Sequence, residues 1–151
     1  NEVIMYEYAI KEVVKIVDGD TVDVIIDLGF NLSKKERIRL AGIDTPESRT
    51  RDLEEKAMGL EAKDYLTNKI EACDALRVKT EKDGKYGRML GWLYDGDANI
   101  NMIMVTDGYA WEYDGGTKDK SLEALRAIRN AKGDADGDKS ITDADADTTS
   151  T

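Results

Sequence analysis

The chain of 151 residues contains no histidine. That absence removes imidazole general bases, histidine-ligated zinc, Ser-His-Asp and Cys-His machinery, and every nuclease design built around a histidine. Cysteine is almost missing as well: Cys73 is the only one, so no disulfide framework forms within the chain. No apolar run approaches the roughly 20 residues of a membrane span, and the reading places no part of the chain in a membrane. Any chemistry must therefore come from carboxylates, arginine, lysine, tyrosine or a metal held through oxygen. The 40% of apolar residues is enough to bury a core in one domain of ordinary size.

Positive charge is also in short supply, with 22 Lys and Arg against 32 Asp and Glu, a net charge of −10. Such a balance argues against nonspecific adhesion to nucleic acids or anionic membranes. The distribution is uneven, however. Residues 133–151 hold six Asp and a single lysine, Lys139, and so carry half of the excess. Two basic islands stand out in the rest: Lys34, Lys35, Arg37, Arg39, Arg49 and Arg51, then Arg77, Lys79, Lys82, Lys85 and Arg88. They leave a phosphate ligand open. The chain begins at Asn1 without a methionine; Met5 as a start and a removed leader are both consistent with it, so no compartment is assigned.

Residues 6–17, 21–28 and 36–40 read as three strands, the first two separated by the turn Asp18-Gly19-Asp20. Alternation in the third puts Ile38 and Leu40 on one face and Arg37 and Arg39 on the other. Residues 52–71 switch to helical spacing, with Leu53, Ala57, Leu60, Tyr65 and Leu66 as the apolar face. Strands at 75–80 and 89–94 flank the hairpin EKDGKYGR. A short helix from Asn99 to Thr106 ends at Gly108, and a longer one runs from Lys118 to Lys132. Five strands interrupted by a helix after the third, with two more helices behind, predict an α+β, mainly β chain. Its architecture is a five-stranded Greek-key barrel of the OB type with three helices. The domain is expected over 1–132, with 133–151 as an acidic tail outside the core.

Three stretches carry the chemistry. They are Asp18-Gly19-Asp20-Thr21, then Arg39 through Glu47, then Lys85-Tyr86-Gly87-Arg88, each at a strand end or turn. If they converge, Asp20, Asp44 and a backbone carbonyl such as that of Thr45 make a small all-oxygen site, which suits Ca²⁺. Glu47 then stands ready to orient or deprotonate a water, and Arg39 and Arg88 to grip a phosphate from two sides. Singly, each string has an ordinary structural use. Asp-Gly-Asp is a turn, and Asp-Thr-Pro-Glu is a helix entry with proline at its first position.

In this order the motifs, with Ile100-Asn101 and Gly108-Tyr109-Ala110 after them, resemble the staphylococcal nuclease (thermonuclease) family over about residues 8–131. The resemblance implies that Asp20, Asp44 and the Thr45 carbonyl bind Ca²⁺, that Arg39, Glu47 and Arg88 are catalytic, and that Lys85 and Tyr86 contact phosphate. It further implies a monomer that cleaves DNA and RNA, single strands preferred, leaving 5′-hydroxyl and 3′-phosphate ends. The alternative is an inactive nuclease-like module that only binds nucleic acid or protein. In the tail, Asp134, Asp136, Asp138, Thr142 and Asp145 fall at positions 1, 3, 5, 9 and 12 of an EF-hand-like loop. Lys139 at position 6, where a glycine is usual, favours the other reading, a solvated acidic tail.

Overall fold

The structure, a computed structural model, describes residues 5–81, 89–114 and 120–133. The β-branched and aromatic run at the start forms one long strand, β1 (Met5–Asp18). It turns tightly at Gly19-Asp20 into β2 (Thr21–Gly29), where Val22, Val24 and Ile26 alternate into the core. Three register shifts along the β1–β2 pair bend β1, which lets it also pair with β5 (Leu76–Glu81) on its other edge. The strand β3 (Leu32–Leu40) returns along β2, and β6 (Met89–Asp95) pairs antiparallel with β5. A parallel pairing of β3 with β6, from Ile38↔Met89 to Leu40↔Gly91, closes the five strands into a barrel. This is the expected barrel of the OB type, with three helices added.

The helix α1 (Leu53–Glu71) packs across the barrel, and α2 (Ile100–Thr106) follows the short strand β7 (Ala98–Asn99). A third helix, α3, covers residues 122–133. Two further short strands, β4 (Ile43–Asp44) and β8 (Trp111–Glu112), pair with each other beside the barrel. Barrel residues Val24, Ile38, Leu40, Val78 and Leu93 form one core with Ala62 and Leu66 of α1 and Met104 of α2. No helix among the described residues is long and apolar enough to cross a membrane.

Three expectations need correction. The buried face of α1 is Met58, Gly59, Ala62, Leu66 and Ile70, whereas Leu53 and Leu60 are 79% and 44% exposed and Ala57 faces solvent. In its N-terminal half, Gly59 lets the helix approach the Glu47–Ser48 backbone and Ala62 lies against the Gly19 turn, while Met58 packs with Trp111 and Leu125. β3 begins at Leu32 and not at residue 36, because a two-residue turn places its polar start directly against β2. α3 begins at residue 122, leaving Lys120 and Ser121 of the expected helix outside it, because Ser121 Oγ accepts from Ala124 N at 3.1 Å and so caps the helix. The hairpin tip at 82–88 and the tail from 134 lie outside the described residues.

The β2–β3 turn carries a local conflict. Phe30 and Asn31 both have positive φ, 55° and 63°, the signature of a type I′ turn that favours asparagine and glycine. Phe30 is 97% exposed and gains no burial in return. Phe30→Asn is expected to stabilise the fold by about 1 kcal/mol, since a bulky residue pays for the left-handed conformation and asparagine largely does not. Thermal denaturation checks it; a lowered midpoint would contradict the strain.

Candidate active site

The tight β1–β2 turn demands glycine at position 19. A Cβ there would lie 2.8 Å from Ala62 Cβ and 3.0 Å from Thr45 Cγ2. This close approach presses Asp20 into the loop that leaves β3. Asp20 is 9% exposed; its Oδ1 accepts from Thr21 Oγ1 at 3.0 Å and its Oδ2 from Thr45 N at 3.2 Å. Burial pushes the Asp20 carboxyl above its ordinary pKa, Arg39 and the two hydrogen bonds oppose the rise, and Asp44 adds to it.

Arg39 points away from the core because its neighbours Ile38 and Leu40 point into it. Its Nη1 donates to Leu40 O at 2.7 Å, which fixes the guanidinium. The same Nη2 then stands 3.5 Å from Asp20 Oδ2 and 3.4 Å from Asp44 Oδ1. Gly42, with φ +76°, turns the chain so that Ile43 and Asp44 enter the β4–β8 pair. The second oxygen of Asp44 accepts from Lys120 Nζ at 2.5 Å.

Glu47 follows on the same loop, exposed to solvent. Partial desolvation pushes its pKa up first, and the carboxylates of Asp18, Asp20, Asp44 and Glu55 push it further. Its backbone is clamped from two sides. Glu47 N donates to Glu55 Oε2 at 3.1 Å, and a Cβ at Gly59 would sit 2.6 Å from the carbonyl of Glu47. The adjacent Ser48 hydroxyl donates to Asp18 Oδ1, tying the loop back to the β1–β2 turn.

The structure therefore brings Asp20, Arg39, Asp44 and Thr45 together, with Glu47 on the same short loop. Arg88, Lys85 and Tyr86 lie outside the described residues; Met89, the next residue, pairs with Ile38 beside Arg39. Lys120, Ser48 and Gly59 escaped the sequence reading. A glycine inside a helix is a readable sign of close approach, so Gly59 had a signal. Lys120 had none, since its partner Asp44 is remote in sequence.

Comparison with known proteins identifies relatives of the chain. The family model described as staphylococcal nuclease homologue matches residues 37–139. A protein named ParB from Escherichia coli is 33% identical over 131 residues, covering 81% of this chain and 67% of that protein. A micrococcal nuclease from Shigella flexneri is 37% identical over 111 residues, 68% of this chain and 57% of the relative. An uncharacterized endonuclease from Escherichia coli O157:H7 is 33% identical over 115 residues, 76% of this chain and 67% of its own. The chain thus spans between about half and two thirds of these relatives. On the extent of these matches, the chain belongs to the staphylococcal nuclease homologue family.

Proposed function

We propose that the chain is a Ca²⁺-dependent nuclease that hydrolyses phosphodiester bonds of DNA and RNA, preferring single strands and leaving 5′-hydroxyl and 3′-phosphate ends. The observation that carries this reading is the convergence of Asp20 and Asp44 on one nitrogen of a fixed Arg39, with Glu47 beside them. The nuclease and endonuclease names of the relatives support the same reaction class. We take the monomer as the working unit and residues 1–132 as the catalytic domain, with the acidic tail outside it.

The donor set fits a hard cation. Asp20 and Asp44 offer oxygens only, and the buried Thr45 Oγ1 has no hydrogen-bond partner among the described residues. No group of three or more His, Cys, Asp and Glu gathers among the described residues, so neutral oxygens and water would complete the shell. A low count of carboxylates in an irregular site suits Ca²⁺ better than Mg²⁺, which demands a strict octahedron. Asp20, Asp44 and the Thr45 carbonyl would hold the ion, which when bound polarises a phosphoryl oxygen.

The remaining work falls to this chain's own side chains. Glu47, its pKa raised, takes a proton from the attacking water. Arg39 and Arg88 donate to the phosphate oxygens as charge builds on them. Leu40 O already holds one terminal nitrogen of Arg39, so turning Nη2 from the two carboxylates towards phosphate keeps the guanidinium anchored. Lys85 and Tyr86 contact the neighbouring phosphate.

Cleavage of single-stranded DNA and RNA by the purified chain tests the reading. Activity is expected with Ca²⁺, to be lost in excess chelator, and to be restored less well by Mg²⁺. Full activity in chelator would overturn the metal assignment. Ca²⁺ binding without any cleavage would favour the inactive binding module.

A further inference from the structure

Asp44 carries a cation on each carboxylate oxygen: Arg39 Nη2 at 3.4 Å from Oδ1 and Lys120 Nζ at 2.5 Å from Oδ2. The two cations are held differently. The Arg39 side chain is 15% exposed and has its own anchor at Leu40 O, independent of Asp44. The Lys120 side chain is 50% exposed, and among the described residues Asp44 is its ion-pair partner. Its ammonium also stands 5.8 Å from the centre of the Tyr113 ring.

The backbone beneath Lys120 is tied to the strand partner of Asp44 itself. Asp44 pairs with Trp111 in the β4–β8 ladder, and Trp111 Nε1 donates to Ser121 O at 3.0 Å. Ser121 also caps α3, so Lys120 reaches back to Asp44 from a fixed base. A long, flexible cation is thus delivered to one oxygen of the carboxylate that the proposed function assigns to the metal.

We propose that Lys120 is a resident cation that holds Asp44 in the metal-free protein and is exchanged for the divalent ion when the site loads. An ammonium and a divalent cation on the same carboxylate oxygen repel each other strongly. With Arg39 anchored at Oδ1, Oδ2 is the oxygen that can be vacated. The released ammonium keeps a resting place over Tyr113, whose N–H donates to Gly42 O at 2.9 Å. Lys120 in this view is a positioning residue that sets metal affinity. The inference rests on Asp44 being a metal ligand.

Calorimetric titration of the full chain with Ca²⁺ alone, without nucleic acid, tests it. The proteins are the parent, Lys120→Met, Lys120→Gln and Asp44→Asn. The site in question is the one lost in Asp44→Asn, which separates it from any calcium held elsewhere. Both Lys120 variants are expected to bind Ca²⁺ there about fivefold more tightly, the effect of removing one partly exposed competing ion pair. Their thermal midpoints should also rise more between chelator and saturating Ca²⁺ than that of the parent. Lys120→Gln is the polar counterpart, so a solubility defect of the methionine variant does not decide the outcome. Equal or weaker binding in both variants, with the site still lost in Asp44→Asn, overturns the exchange and leaves the metal reading standing. Unchanged binding in Asp44→Asn removes the metal reading and the exchange together.

Discussion

Glu47→Gln is expected to lower the rate of phosphodiester cleavage by about 10²–10⁴-fold, the usual loss on removing a positioned general base. Glutamine keeps the shape of the side chain and leaves the backbone clamps at Glu55 and Gly59 untouched. Folding and Ca²⁺ affinity should therefore change little. The pH profile gives a second readout. A base works only when ionised, so the parent loses rate as pH falls through the Glu47 pKa. That pKa is raised from its ordinary value by partial desolvation and then by four neighbouring carboxylates. Neutralising part of that charge with metal moves the acid limb to lower pH. At saturating metal, where the protonation of the ligand Asp20 no longer limits the rate, the variant should lack this limb. Single-turnover cleavage of a labelled oligonucleotide, measured on variant protein with a parent-like melting curve, decides it. A rate within threefold of the parent would remove Glu47 from the reaction.

Legibility differs between the barrel and the site for physical reasons. Strand alternation at Val22, Val24, Ile26 and at Ile38, Leu40 is a local property, and the structure buries each of these side chains. The turn at Asp18-Gly19-Asp20 is likewise encoded locally by residue type. The α1 face is not legible from the spacing of large apolar residues, because part of it is made by backbone contact. At Gly59 the helix touches the Glu47 carbonyl directly, and the leucines at 53 and 60 are left outside. The polar start of β3 has no alternation to read; its register comes entirely from β2.

In the site, Asp20, Arg39, Asp44 and Thr45 could be grouped in advance because they occupy strand ends and turns. What spacing does not contain is which cation sits on which oxygen. Arg39 bridges two carboxylates because Leu40 O fixes one end of its fork. Lys120 arrives through Trp111 and Ser121, a tertiary route with no trace in the sequence near Asp44.

The largest effect on stability is expected at Asn101, which in the sequence stands out only as part of a motif. Its side chain is fully buried and joins three backbone segments. Oδ1 accepts from Leu93 N at 3.1 Å, and Nδ2 donates to Ala41 O at 2.8 Å and to Gly91 O at 3.0 Å. These contacts link α2 to β6 and to the end of β3, where the parallel pairing closes the barrel. Gly91 O keeps a second donor, Ala41 N, at 2.8 Å. In Asn101→Ala, Leu93 N and Ala41 O lose their side-chain partner away from solvent. Each unsatisfied group costs about 1–3 kcal/mol, to which the small cavity adds, for a total of about 3–5 kcal/mol. Against a typical stability of about 5–15 kcal/mol this is a large share. The thermal midpoint should fall by about 10 °C, at roughly 2–4 °C per kcal/mol for a chain of this size. Asn101→Leu restores volume but not the hydrogen bonds, so it should recover only the cavity part. Because Ala41 leads directly into the loop of Asp44 and Glu47, saturating Ca²⁺ should return part of the lost midpoint by binding only the folded chain. Denaturation of both variants with and without Ca²⁺ measures these parts separately. A leucine variant as stable as the parent would show that Asn101 serves as filler, and that the barrel closure holds without its three hydrogen bonds.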